Sequence, residues 1–138
     1  MSDANKEVSL RLVEGFGQGR AEVIDELVAA DIVDHGGFEG MPEGREGVKA
    51  LFNAIRSAFP DLEISVTRAV AEGDFVVVHV TNSATMTGDF AGMPATGKHA
   101  TWEAIHIDRI SDGKVAEHWV VQDQLGMLQQ LGLVPGAN

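Results

Sequence analysis

The chain has 138 residues, enough for one domain with a real hydrophobic core. Ten Lys and Arg against 21 Asp and Glu give a net charge of −11 with His neutral, which repels phosphate backbones and anionic lipid and argues against nucleic-acid or membrane partners. No cysteine is present, so disulfides, thiolate nucleophiles and Cys-ligated metal sites are excluded.

The opening stretch MSDANKEVSLRLVEG carries charges throughout, unlike a signal peptide, and no run of 18 apolar residues occurs anywhere. The expectation is a single cytoplasmic domain over 1–138. Val8, Leu12 and Phe16 fall on one helical stripe, which Gly15, Gly17 and Gly19 weaken and end. A short second helix fits residues 21–28, with Val23, Ile24, Leu27 and Val28 inward. Residues 31–47 carry five Gly and one Pro and read as a long loop, a common place for function. Val48, Leu51, Phe52, Ile55 and Phe59 then mark a third helix that Pro60 stops.

After Pro60 the period switches to two. Leu62, Ile64, Val66 and Val70 alternate with polar residues and predict a strand with one buried face. Residues 75–85 form a second strand, apolar on both faces at its start and therefore internal. Residues 86–98 make a Gly/Pro-containing excursion suited to a flap. Residues 101–110 and 114–122 flank Asp112-Gly113, a strong hairpin signal, and residues 124–133 read as a closing helix. Helices followed by an antiparallel meander define an α+β domain, with the helices packed on a curved sheet and a cone-shaped pocket between them.

A two-residue turn at Asp112-Gly113 pairs residues whose numbers sum to about 225. That register sets Asp108 opposite Glu117, His106 opposite Trp119 and Trp102 opposite Asp123. One face then carries Trp102, Ala104, His106, Trp119, Val121 and Asp123. A carboxylate beside an indole loses solvation, so Asp123 is expected to have a raised pKa, fit for acid/base work near neutrality. Asp123 also directly precedes the closing helix, where Asp is a favoured cap, and the two roles are compatible. His106 and His118 fall on opposite faces in this register, which argues against a shared metal ion. No serine sits in a nucleophile elbow, and GDFAGMPATGK matches no phosphate-binding loop.

Three stretches carry a family resemblance: GDFAGMPATGK, then IDRISDGKVAEHW, then DQLGMLQQLG, preceded in the same order by VDHGG and GREGVKALFNAIRSAFPDL. Together they resemble the SnoaL-like polyketide cyclases, or ester cyclases, of the nuclear-transport-factor-2-like superfamily. The resemblance implies a cone-shaped α+β barrel, paired into dimers or tetramers through the back of the sheet. It implies an Asp at the end of the last strand, matched by Asp123, that deprotonates an activated carbon of a polyketide methyl ester for an intramolecular aldol condensation. No metal or cofactor is implied. His106 matches a pocket histidine and His35 a loop position at the cavity mouth.

The absence of tyrosine rules out relatives' chemistry that needs a pocket Tyr, and Arg109 has the wrong parity for an Asp–Arg–Asp epoxide-hydrolase set. The expectation is a cofactor-independent acid/base enzyme acting on a small hydrophobic carbonyl compound. Asp123 and His106 are its catalytic pair. Trp102, Trp119, Val121 and Ala104 line the pocket, with His35 at the entrance. A non-catalytic small-molecule-binding protein, or an isomerase or hydrolase on the same scaffold, is the alternative.

Overall fold

A computed structural model describes residues 2–136. Three helices lead: α1 (Ser2–Gln18), α2 (Glu22–Leu27) and, after strand β1 (Val28–Asp34), α3 (Gly44–Ala58). Strands β2 (Glu63–Glu72), β3 (Phe75–Thr85), β4 (His99–Ser111) and β5 (Lys114–Gln122) form the meander, and α4 (Gln124–Gln130) closes it. The five strands make one open sheet in the order β1-β5-β4-β3-β2. This is the expected α+β architecture. No helix among the described residues is long and apolar enough to cross a membrane.

The helices lie where the period-3.6 pattern puts them. Val23, Ile24 and Leu27 of α2 and Val48 and Phe52 of α3 are buried against the sheet. The facing strand β3 alternates strictly: Val76, Val78, Val80, Asn82 and Ala84 point inward, each nearly or fully buried. A second cluster, with Phe59, Leu62, Trp102, Met127 and Leu131, seals the sheet's other end beneath α4. A cavity of about 440 Å³ lies between the two clusters, walled by the inner face of the sheet, α1, α3, α4 and the excursion at Phe90 and Met93.

Three expectations need correction. Residues 28–34 are a strand, not part of a loop, and β1 pairs parallel to β5, making the sheet mixed. The β2 alternation breaks between Val66 and Arg68, so Ala69 and Ala71 turn inward and Val70 is 57% exposed. The third correction decides the site. Asp112 and Gly113 both adopt positive φ, 52° and 74°, as a tight hairpin turn requires. Ile110 pairs with Val115 as expected, but Arg109 then pairs with Glu117, leaving Ala116 as an extra residue on β5. Past this bulge the pairs sum to 226. His118 faces Asp108, Val120 faces His106 and Gln122 faces Ala104.

Candidate functional site

The bulge turns His118, Val120 and Gln122 away from the outer surface and to the sheet's inner side, together with Trp102, His106 and Asp108 of β4. Trp119 goes the other way, to the outer face. There it stacks on His35, with ring centroids 5.1 Å apart, and packs against Phe75. Val121 is 69% exposed. Of the residues expected to share a pocket, the structure brings only Trp102 and His106 to the cavity wall. Ala104 points the same way but is packed in the core. His35 bonds Glu117 at 2.7 Å on the outer face. Asp123 lies past the end of β5, exposed, and accepts a hydrogen bond from Gly126 N at 3.0 Å as the cap of α4. It does not sit beside Trp102, whose indole N–H instead donates to Gln122 Oε1 at 3.0 Å.

What the cavity holds is a chain of side chains. Asp34, at the end of β1, accepts from His118 Nδ1 at 2.8 Å. His118 Nε2 lies 3.0 Å from His106 Nδ1, the two rings nearly parallel. Local sequence fixes Asp34: its Oδ1 also accepts from Gly36 N at 2.9 Å, the short Asp-to-backbone bond that favours Asp before a turn. Gly36 is required for a second reason, since a Cβ there would lie 2.5 Å from Val120 Cγ1. On the other side of His118, Asp108 is 2% exposed. Its Oδ2 accepts from Ser9 of α1 at 2.7 Å, and its Oδ1 has no partner among the described residues. The described residues contain no group of three or more His, Asp or Glu arranged to hold a metal ion.

Burial sets the electrostatics. It pushes His106 down from 6.5 to about 4, helped by the neighbouring His118, so His106 is neutral at neutral pH. Burial pulls His118 the same way, but the hydrogen bond from its ring to Asp34 and the fields of Asp108 and Asp34 outweigh it and leave its pKa raised. Asp34 resists its own desolvation through His118 and stays below the usual carboxylate range. Burial raises Asp108 despite His118 and Ser9.

These constraints define two proton arrangements. A carboxylate only accepts, so His118 Nδ1 carries a hydrogen in both. When His118 is neutral, His106 Nδ1 donates to it and His106 Nε2 presents a lone pair. When His118 is doubly protonated it donates to His106 Nδ1, and His106 Nε2 carries the hydrogen. Nε2 has no protein partner among the described residues, and His106 lines the cavity. One proton taken up at His106 Nε2 therefore appears as charge on His118, between two carboxyl groups.

Sequence reasoning reached His106 and Trp102 but missed Asp34, Asp108 and His118. One warning was legible. The 225 register set Asp108 directly opposite Glu117, and like charges facing each other across strands are destabilising. The bulge replaces that pair with Asp108–His118 and Arg109–Glu117.

The described geometry can be set beside known proteins. The model of the SnoaL-like polyketide cyclase family matches residues 6–131. The aklanonic acid methyl ester cyclase DnrD of Streptomyces peucetius is 30% identical over 125 residues, covering 88% of this chain and 86% of that protein. The nogalonic acid methyl ester cyclase of Streptomyces nogalater is 28% identical over 123 residues, covering 88% and 92%. Among solved structures, TsrD from Streptomyces laurentii superposes with a TM-score of 0.88 at 26% identity, over 97% of this chain and 98% of that one. With a match over nearly its whole length and the same fold, the chain belongs to the SnoaL-like polyketide cyclase family.

Proposed function

We propose that this protein is an acid/base enzyme that closes a ring in a hydrophobic carbonyl compound by intramolecular aldol condensation, with His106 as the group that moves the proton. The observation that carries this reading is the Asp34–His118–His106 chain ending at a cavity-lining nitrogen without a protein partner. His106 Nε2 takes the proton from a carbon next to a carbonyl while His106 Nδ1 passes its own to His118 Nε2. The resulting enolate carbon attacks a second carbonyl carbon of the same molecule, forming the C–C bond. The new alkoxide recovers the proton from His106 Nε2 as the relay runs back. Asp34 supports the charge on His118 and holds its ring. No cofactor enters these steps. The surrounding wall is largely apolar, and no Lys or Arg among the described residues lines it, which suits a neutral substrate. Association of copies through the sheet, as the resemblance implies, would use the outer face, where Val70, Phe75, Ile105 and Val121 stay exposed.

The test is a cyclisation assay on the methyl esters of aklanonic and nogalonic acid, the compounds for which the relatives are named. His106→Gln should lower kcat by on the order of 10²–10⁴. Asp123→Asn, which keeps a good cap, should stay within about twofold. Full activity in His106→Gln with loss in Asp123→Asn would move the acid/base role to Asp123 and overturn the reading. Tight binding of either ester with no turnover would favour a binding protein.

A further inference from the structure

The relay leaves one buried polar group of the cavity without a task. Asn82 sits on the inner face of β3, 8% exposed, opposite Trp102. Its carboxamide lines the cavity and meets no hydrogen-bond partner among the described residues, although neither polar atom is sealed off from the void. Amides buried in this way are costly unless something bonds them, so an unpartnered one in an apolar wall calls for a ligand group. Gln122 also lines the cavity, but as an exposed residue of β5. Its Oε1 is occupied by the Trp102 indole N–H, which leaves the amide NH2 without a partner among the described residues.

Asn82 lies at a distance from the relay. Trp102, the cross-strand partner of Asn82, and His106 are four residues apart on β4, roughly 13 Å at strand rise. On β3 and β4 the inner face between them is apolar, with Val80 and Ala104, while Gln122 of β5 pairs with Ala104 and reaches toward Trp102. Two polar points at opposite ends of an apolar wall define the shape of what fits.

We propose that Asn82, assisted by Gln122, is a specificity-determining contact that bonds a hydroxyl or carbonyl oxygen at the far end of an elongated, flat, neutral substrate. The assignment of the near end as the reacting one rests on the His106 reading; the Asn82 contact itself does not. An amide offers one donor group and one acceptor, so it accepts either kind of oxygen.

Calorimetric titration with biphenyl, 4-hydroxybiphenyl and 4,4′-dihydroxybiphenyl tests this. In the wild type each added hydroxyl should tighten binding by about tenfold, a typical return for one made hydrogen bond. Asn82→Leu should erase the gain from the second hydroxyl and leave biphenyl itself within about twofold. His106→Leu should erase the other gain and keep the one at Asn82. If Asn82→Leu fails to fold, Asn82→Ser should show a partial loss of the second gain. The proposal is overturned if the second hydroxyl adds nothing in the wild type, if its gain survives in the Asn82 variant, or if none of the three compounds binds. Because these are equilibrium measurements, an inactive cyclisation assay would sink the acid/base reading and leave this result standing.

Discussion

The two faces of the sheet carry the same residue types and use them differently. On the inner face His118 sits between Asp34 and His106, its side chain 18% exposed and that of Asp34 6%. On the outer face His35 sits against Glu117 and stacks on Trp119, with side-chain exposures of 43% for His35 and 23% for Glu117. Glu117 is held below the usual carboxylate range by His35 and Arg109, yet water reaches the pair and weakens it. Charges 4 Å apart interact by about 1 kcal/mol in bulk water and by about 4 at an effective dielectric constant of 20. The roof of helices over one face makes that difference. Imidazole and carboxylate couple strongly only where solvent cannot screen them.

The most drastic way to break the comparison is to remove the carboxylate on each face in turn. Asp34→Ala takes away the acceptor of His118 Nδ1 and Gly36 N under the helices and should cost about 3–5 kcal/mol, read from urea unfolding. Glu117→Ala takes away the partner of His35 and Arg109 on the outer face and should cost only a small fraction of that. Equal losses in the two variants would show that the helical roof makes no difference.

A smaller effect should separate the faces by pH. His106 titrates near 6.5 unfolded and near 4 folded, so between those values the unfolded chain binds more protons and stability falls as pH falls. That gap is worth about 3 kcal/mol. His106→Leu should remove most of this loss in urea titrations between pH 6.5 and 4, and an unchanged slope would show that burial under the helices does not set this histidine apart. His118 works in the opposite sense, because a raised histidine loses its contribution as pH rises, so the wild-type slope reports the balance. The smallest effect belongs to Asp123. Asp123→Ala should cost about 1 kcal/mol as a lost helix cap, and Asp123→Asn almost nothing.

Much of the fold was legible because each element carries its own period. β3 and β5 begin and end at the expected residues, and α3 ends at Ala58, two residues before Pro60. β1 was hidden since its burial does not alternate cleanly and glycines follow it. Its pairing with β5 is long-range and leaves no local signature. The site was half legible. His106 and Trp102 lie on β4, whose parity the turn sets directly. His118 lies beyond the bulge, where one extra residue reverses every side chain. Asp34 comes from the unrecognised strand. The glycines that follow Asp34 mark this stretch as loop in the sequence and hide its place in the sheet.

Parallel pairing of β1 with β5 has a further consequence. Asp34 and His118 are 84 residues apart, and Ser9 and Asp108 are 99 apart. Neither bond can form until the first quarter of the chain has docked onto the end of the meander, and closing loops of this length is slow. The hydrogen-bonded chain is therefore a property of the finished molecule. A chain that has made only its hairpin holds both histidines and Asp108 but lacks Asp34, so the arrangement is complete only when the fold is.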